Sequence, residues 1–413
     1  MFDMAEALEV HMGTFRNVSK SEPCPICGKP DWCCFLSPAD PSYPGQELFI
    51  CRRENDPQIT SPINGKTYFF KKELRDNSSL YSVTETNDMD KKSESEYCYQ
   101  SSISNKDCTR VQKQAADYGI PPLGNEQLDK VYRSFLGLLQ LHKKHYKMLA
   151  KDGWSHELIK ASGIRSLSLR KTYNASKGYF TDELERNIIC KELLKKFETL
   201  TGVPGFYQDE SGQWTFSRKP GMLIPVYDQN GMLYRLKLRS DQPDFDDNGK
   251  EKNKYKNFSS FYSTKDENGG LMNAFRNGSR AGSQIGIYYN PVSDASMICY
   301  ITEGEKKAIV ANYILKTIVI SLPGVNSFSK LLTEEVGEEN IIDFLKKIWC
   351  SSIVIAYDSD KYINKAVMRC EKKLVELLKN EGFNLYIAYW NPGFGKGLDD
   401  VLIVGIRPEL IPA

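Results

Sequence analysis

Two short apolar runs end abruptly in carboxylates: Cys299-Tyr300-Ile301-Thr302-Glu303-Gly304 and, about fifty residues later, Ile353-Val354-Ile355-Ala356-Tyr357-Asp358-Ser359-Asp360. A buried parallel strand rich in β-branched residues delivers whatever follows it to one edge of a sheet. Ligands of open α/β sheets gather outside the carboxyl ends of the strands, so Glu303, Asp358 and Asp360 are candidates for a single hard-cation site. Asp399 and Asp400, in Lys396-Gly397-Leu398-Asp399-Asp400, stand just beyond a further strand end and are candidates for the same shell. One acid at a strand–helix junction is explained by capping of the next helix, worth about 1 kcal/mol or less. That does not explain three groups of acids at three strand ends. Clustered carboxylates repel one another, and a divalent ion such as Mg2+ or Mn2+ relieves the repulsion while supplying positive charge to a reacting phosphate.

A second cluster offers soft ligands. Of eleven cysteines, five fall between Cys24 and Cys51, and the knuckle Cys24-Pro25-Ile26-Cys27-Gly28 is followed by Cys33, Cys34 and Cys51. This is the spacing of a tetrahedral structural Zn2+ site, with Cys24, Cys27, Cys33 and Cys51 as ligands. Adjacent thiols in an extended segment point to opposite sides, so one of Cys33 and Cys34 reaches the metal. No βαβ pattern surrounds the knuckle, which argues against a redox Cys-x-x-Cys. Trp32, Arg52 and Arg53 sit beside the ligands and suit either a base and phosphates or a small core and its surface.

Between the two clusters lies a patterned row of cations. Gly221–Asp228 and Met232–Arg239, joined by Gln229-Asn230-Gly231, read as a hairpin with an Asn-Gly turn. In the returning strand Arg235, Lys237 and Arg239 alternate with Leu236 and Leu238, which puts the cations on one face at about 6.6 Å spacing, roughly that of phosphates along a single strand. Residues 218–239 hold five basic side chains against one acid. Lys252, Lys254 and Lys256 then precede Asn257, with Tyr255 and Phe258 available to stack on bases. A solvated sheet face is the plain alternative for either cluster alone.

These residues need elements to hold them. The stretch from Met297 reads βαβαβαβ: strands at Met297–Thr302, Thr317–Ser321, Ile353–Tyr357 and Leu385–Trp390, with helices at Glu305–Leu315, Phe328–Trp349 and Lys365–Asn380 between them. Right-handed crossovers make this one parallel sheet with helices on both faces. Upstream, Leu128, Val131, Tyr132, Phe135, Leu138 and Leu139 mark one buried helical face. A second helix is expected near His142–Leu149, a third after an N-cap at Ser155, and a fourth over Thr181–Leu200. His142, His145 and His156 have no ligand-spaced partner nearby in sequence and read as packing or solvated residues.

The fold class is therefore multi-domain α/β. It comprises a zinc-ribbon module at 1–74, a flexible polar linker at 75–122, a mixed helical and β-hairpin region at 123–290, and a metal-binding α/β domain at 291–413. The linker reading rests on a Ser-, Asn- and charge-rich stretch too polar to order itself. With 55 basic and 53 acidic residues the net charge is +2, so a nucleic-acid partner is announced only by local clusters. No basic leader or apolar run of about 18 residues is present, and the expectation is a soluble, cytoplasmic protein without membrane attachment.

The pairing of Glu303-Gly304 with Asp358-Ser359-Asp360 resembles the TOPRIM domain shared by DnaG-type primases, topoisomerases and some nucleases. Three features bring the resemblance to DnaG-type primases, especially those of phages and mobile elements. These are the amino-terminal zinc ribbon, the segment Met222-Leu223-Ile224-Pro225-Val226-Tyr227-Asp228 with Lys254-Tyr255-Lys256-Asn257, and the terminal Lys396-Gly397-Leu398-Asp399-Asp400. The resemblance implies primer synthesis on single-stranded DNA from nucleoside triphosphates. It places Mg2+ or Mn2+ on Glu303, Asp358, Asp360, Asp399 and Asp400, with Glu303 also a candidate general base, and structural Zn2+ on the cysteines. Arg235, Lys237, Arg239, Lys254 and Asn257 would guide template or nucleotide, and a replicative helicase would act in trans. The alternatives are a nuclease using the same acids and a non-catalytic single-strand-binding accessory protein. A topoisomerase is disfavoured, because no region reads as a domain carrying a tyrosine nucleophile.

Overall fold

The computed structural model describes residues 14–31, 33–37, 48–54, 56–73, 78–83 and 120–413, less 218, 246–248, 250, 253, 261–262, 266–270, 274, 334, 337–338 and 363, and the chain divides into units Met1–Val111 and Gln112–Ala413. Trp32, Arg218, the side chains of Lys252 and Asp360, and residues 84–119 of the expected linker lie outside the described residues.

The first unit is a six-stranded antiparallel sheet of β1 (Thr14–Asn17), β2 (Cys34–Ser37), β3 (Leu48–Cys51), β4 (Gln58–Thr60), β5 (Thr67–Glu73) and β6 (Ser79–Ser82), in the order β1-β2-β3-β6-β5-β4. A small core of Val18, Ile26, Phe49, Tyr68 and Tyr81 closes around the cysteines. Residues 79–82, read as linker from their serines, instead form β6. All four are buried, and the Tyr81 hydroxyl donates to the Asp56 carbonyl at 3.0 Å. Two serines flanking Leu80-Tyr81 hid a strand whose apolar pair fills the middle of the sheet.

In the second unit, α1 (Asn125–Leu138), α2 (Lys143–Lys151) and α3 (His156–Ala161) form as the periodicity predicts, and the Ser155 side chain accepts from the Leu158 amide. On α1 it is Leu136 rather than Leu138 that joins Leu128, Val131, Tyr132 and Phe135 in the core, and Leu138 is 43% exposed. The fourth helix, α4 (Glu183–Leu194), is shorter than expected at both ends. A four-stranded sheet follows, made of β7 (Arg165–Ser166), β8 (Gly221–Tyr227), β9 (Leu233–Ser240) and β10 (Tyr255–Asn257), in the order β10-β9-β8-β7. Along β9 burial alternates as period two demands: Leu236 and Leu238 pack with α1 and α4, and Arg235, Lys237 and Arg239 face the other way.

The C-terminal sheet has the order β11-β13-β12-β14-β15-β16, from β11 (Gly286–Tyr288), β12 (Ala295–Glu303), β13 (Thr317–Leu322), β14 (Ser352–Ile355), β15 (Asn384–Tyr389) and β16 (Glu409–Pro412). Its four central strands are parallel as expected, and both edges add antiparallel strands, so the sheet is mixed. Helices α5 (Glu305–Leu315), α6 (Ile341–Lys347), α7 (Lys365–Asn380) and α8 (Leu398–Ile403) surround it, with buried clusters on its two faces. The single helix expected over Phe328–Trp349 is broken. A short antiparallel pair, Glu335–Val336 with Glu339–Asn340, interrupts it, and Asn340 starts α6 afresh by accepting from the Asp343 amide at 2.9 Å.

Candidate functional site

In the first unit the backbone builds a thiol cluster. Gly28 takes φ +72°, a region open to glycine, so its amide can bond back to the Cys24 carbonyl at 2.8 Å and turn Cys24 and Cys27 toward one point. The ligand atoms of Cys24, Cys27, Cys33 and Cys51 all lie within 4.8 Å of one another. Cys27 Sγ is 3.8 Å from Cys33 Sγ, and Cys33 Sγ is 3.9 Å from Cys51 Sγ. A tetrahedron with Zn–S of about 2.3 Å has edges of about 3.8 Å, whereas a disulfide would bring two sulfurs to about 2.0 Å. The cluster therefore has the size of a zinc site. Hydrogen bonding to Cys24 holds Cys27 and Cys33 below the usual thiol range, and bonding within the cluster raises Cys24 and Cys51. Of the adjacent pair it is Cys33 whose Sγ lies in the cluster, while Cys34 Sγ turns to Asn17 Oδ1 at 3.5 Å.

Arg53, weighed above as a phosphate contact, is directed inward instead. Its Nη1 donates to the Asp31 carbonyl at 2.7 Å and lies 3.9 and 3.8 Å from the sulfurs of Cys27 and Cys33, while its Nη2 meets Asp31 Oδ1 at 2.8 Å. Arg52 is exposed.

The second unit gathers acids and cations at the carboxyl ends of β12 and β14. Ile301 pairs with Ile355, so Glu303, the last residue of β12, lies beside the Ala356-Tyr357-Asp358 segment that leaves β14. Gly304, at φ +76°, turns the chain sharply from Glu303 into α5. Glu303 lies within electrostatic reach of Tyr357 and Cys370. Asp358 is 7% exposed; Lys307 Nζ bonds to its Oδ1, and Lys396 Nζ lies 3.5 Å from its Oδ2.

Asp399 joins this group. Its Oδ1 is buried and has no hydrogen-bond partner among the described residues. Burial pushes its carboxyl up to about 6, with Asp400 and Asp358 adding to the rise against Lys307 and Lys306. Asp400 is committed elsewhere: its Oδ2 accepts from the amides of Lys396 and Gly397 at 3.0 and 2.9 Å, capping α8. Among the described residues the cysteines are the one group of three or more ligand atoms within 4.8 Å, so the carboxylates stand together without closing to that distance. Hard oxygens of Asp358 and Asp399, one of them unpartnered, nevertheless match Mg2+ or Mn2+ in donor chemistry and suit no soft metal.

The cation row reaches the same helix start through Glu305. Lys237 does not project to solvent as the alternation suggested. Its Nζ sits 2.6 Å from Glu305 Oε1, the side chains being 12% and 3% exposed. Arg239 pairs across the sheet with Tyr255, whose hydroxyl lies in electrostatic reach of Arg239, Glu305 and Asp399. Tyr255 is 40% exposed, so its ring is available for stacking. Phe258 is not. It is 1% exposed and packs with Phe135, Phe206 and Phe216. Arg235 donates to the Tyr234 carbonyl at 2.6 Å, and its Nε is buried without a partner among the described residues. Lys254 pairs with Glu251 at 2.7 Å, and Asn257 lies opposite Lys237. Lys256, beside Lys219, holds that ammonium below its usual range, a sign of local positive potential.

One participant escaped the sequence reading: Glu305 reads there only as a helix start, though its place after Glu303-Gly304 could have marked it. His145, read as a packing or solvated residue, is fully buried, with Nδ1 2.6 Å from Ser166 Oγ and Nε2 2.7 Å from Asp241 Oδ1. Its partners lie 21 and 96 residues away, beyond any local spacing rule. Ser166 Oγ also accepts from the His142 amide at 2.8 Å, so this trio ties α2 to the end of β9 and is buried rather than open to substrate.

A family model described as "Domain of unknown function (DUF3854)" matches residues 288–406. Among curated proteins none matches the chain. Solved structures that resemble it include the Aquifex aeolicus primase zinc-binding and RNA polymerase domains, at 13% identity and a TM-score of 0.40, over 68% of this chain and 59% of that one. A DnaG primase catalytic domain bound to ssDNA is similar at 14% identity and a TM-score of 0.41, over 70% of this chain and 83% of that one. The RNA polymerase domain of Mycobacterium tuberculosis primase DnaG is similar at 11% identity and a TM-score of 0.41, over 70% and 85%. Likeness at this level identifies no activity. Among the described residues no helix is long and apolar enough to cross a membrane.

Proposed function

We propose that the chain is a primase-like nucleotidyltransferase that makes short primers on single-stranded DNA. Its TOPRIM-like strand ends (Glu303, Asp358, Asp360 and Asp399) would form the divalent-metal site, with Asp400 beside them capping α8, and the cysteine cluster would hold structural Zn2+. The observation that carries this reading is the Lys237–Glu305 ion pair at 2.6 Å. It sets the cation-bearing face of β9 against the first turn of the helix that follows Glu303-Gly304, so that cations and acids line one crevice.

Primer synthesis requires attack of a 3′-hydroxyl on an α-phosphorus with departure of pyrophosphate. When bound, Mg2+ or Mn2+ would neutralise the charge that builds on the phosphate oxygens. The remaining work falls to side chains of this chain. Arg235 and Arg239 would meet backbone phosphates, and Tyr255 would stack a base beside them. Lys254 and Asn257 would position template or nucleotide at the outer end of the same sheet, and a helicase acting in trans would supply the single strand.

A second reading is favoured by one observation: Asp358 already faces two ammonium groups. An accessory protein that only binds single strands needs no metal there. The test is zinc-loaded full-length chain with Mg2+ or Mn2+, single-stranded DNA and labelled ribo- and deoxyribonucleotides. Extension products abolished by Asp358→Ala, with DNA binding retained, are expected. Shortened DNA would make it a nuclease, and binding without extension under either metal would make it the accessory protein.

A further inference from the structure

Lys307 stands where the acids converge. It belongs to the first turn of α5, its side chain is 22% exposed, and its ammonium bonds to Asp358 Oδ1. To get there it passes Gly397, where an added Cβ would come within 2.9 Å of Lys307 Cε and collide with Asp399 Oδ1. Glycine at 397 therefore leaves the space that Lys307 and Asp399 share. Asp399 lies in the electrostatic reach of both Lys307 and Asp358, and its Oδ1 is buried with no hydrogen-bond partner among the described residues. The charges are thus arranged unequally: Asp358 meets Lys307 and Lys396, while Asp399 has one buried oxygen with no donor among the described residues.

We infer that the Lys307 ammonium is the resident counter-ion of the acid cluster, and that a divalent cation enters by exchanging with it at Asp358. The inference rests on the proposed metal-site reading of these acids. A cation held by Asp358 and Asp399 would compete with Lys307 for the Asp358 carboxylate, because a dication and an ammonium cannot share it without strong repulsion. Lys307 would keep Asp358 and Asp399 from repelling one another while no metal is bound, and it would set a threshold concentration below which the cluster stays closed. Lys396 does not fill this place, because its side chain is 62% exposed and its ammonium is 3.5 Å from the other oxygen.

The experiment is direct Mn2+ binding to the zinc-loaded full chain, followed by the electron paramagnetic resonance signal of unbound Mn2+. Lys307→Met removes the competitor and is expected to tighten Mn2+ by about tenfold, the scale of one partly buried ion pair. Lys307→Arg keeps a cation on the carboxylate and should leave affinity at or below wild type. Lys396→Met should change it less than about threefold, as expected of an exposed pair. In parallel, Lys307→Met without metal should melt below wild type, and Mn2+ should restore it more than it raises wild type. Unchanged or weaker Mn2+ binding by a folded Lys307→Met, with wild type binding and Asp358→Asn not, overturns the exchange and leaves the metal site standing. Absence of binding in wild type and variant alike overturns the metal-site reading itself, and the exchange with it.

Discussion

Replacing Lys237 with methionine tests the crevice at its joint. The substitution keeps the length of the side chain and leaves the Glu305 carboxylate, 3% exposed, without its partner at 2.6 Å. Breaking a buried ion pair from one side costs about 3–5 kcal/mol, because the remaining charge stays desolvated. Glu305 lies in the first turn of α5, where the helix terminus favours a carboxylate by about 0.3–1 kcal/mol, so the lower end of that range, about 3 kcal/mol, is expected. The melting temperature of the second unit should fall by roughly 4–6 °C, and the urea midpoint should fall with its slope unchanged. Glu305→Leu combined with Lys237→Met should recover most of the loss, since an apolar pair of similar volume removes both desolvation costs. A loss below about 1 kcal/mol for Lys237→Met would mean that Lys237 behaves as a solvent-facing cation. The face of β9 would then not be anchored to the acid edge, and the single-crevice argument would fail.

Two further outcomes are expected. Cys33→Ser should lower zinc content, measured by atomic absorption, from about one ion per chain toward none, while Cys34→Ser should leave it unchanged; equal loss from both would contradict the direction of Cys34. Asp399, with a carboxyl pushed up to about 6 from 3.8, binds its proton more tightly in the folded state. Its stabilising contribution is therefore present below about pH 4 and lost as pH rises through about 6. Urea unfolding in chelator should show Asp399→Asn gaining on wild type between pH 5 and 7.5, and parallel pH curves for the two proteins would refute the assignment.

What could be read in the sequence was what local pattern controls. Period two put Arg235, Lys237 and Arg239 on one face of β9 and the leucines on the other, and the apolar runs before Glu303 and Asp358 are the adjacent parallel strands they appeared to be. The Cys-x-x-Cys knuckle with its glycine located the thiol cluster. Pattern could not say which charges would meet. Glu305 and Lys237 are 68 residues apart, His145 and Asp241 are 96 apart, and only the packing of α5 and α2 against the small sheet joins them. Phe258 looked like a stacking residue because it follows a lysine run, yet the aromatic core on the far side of β9 claims it. Asp400 looked like a metal ligand, yet it caps α8 through two backbone amides.

The pairing of these charges follows from a conflict built into the chain. A groove for a polyanion wants cations, a metal site wants carboxylates, and placing both at one sheet edge lets them neutralise each other before any ligand arrives. The chain pairs Lys237 with Glu305, and Lys307 and Lys396 with Asp358, while Arg239 and Tyr255 lie opposite one another across the small sheet and Asp399 keeps a buried oxygen unpartnered among the described residues. The pairs differ in burial. Lys237 and Glu305 are the more enclosed, so their charges act on each other at short range with little screening, and they serve as structure. Lys396, 62% exposed, exchanges with water and salt at little cost. Lys307 lies between these extremes, its side chain 22% exposed, and the proposed exchange would draw on that intermediate burial. Under the proposed function, that gradation would let one crevice be stable without ligand and still admit both a cation and a strand of phosphates.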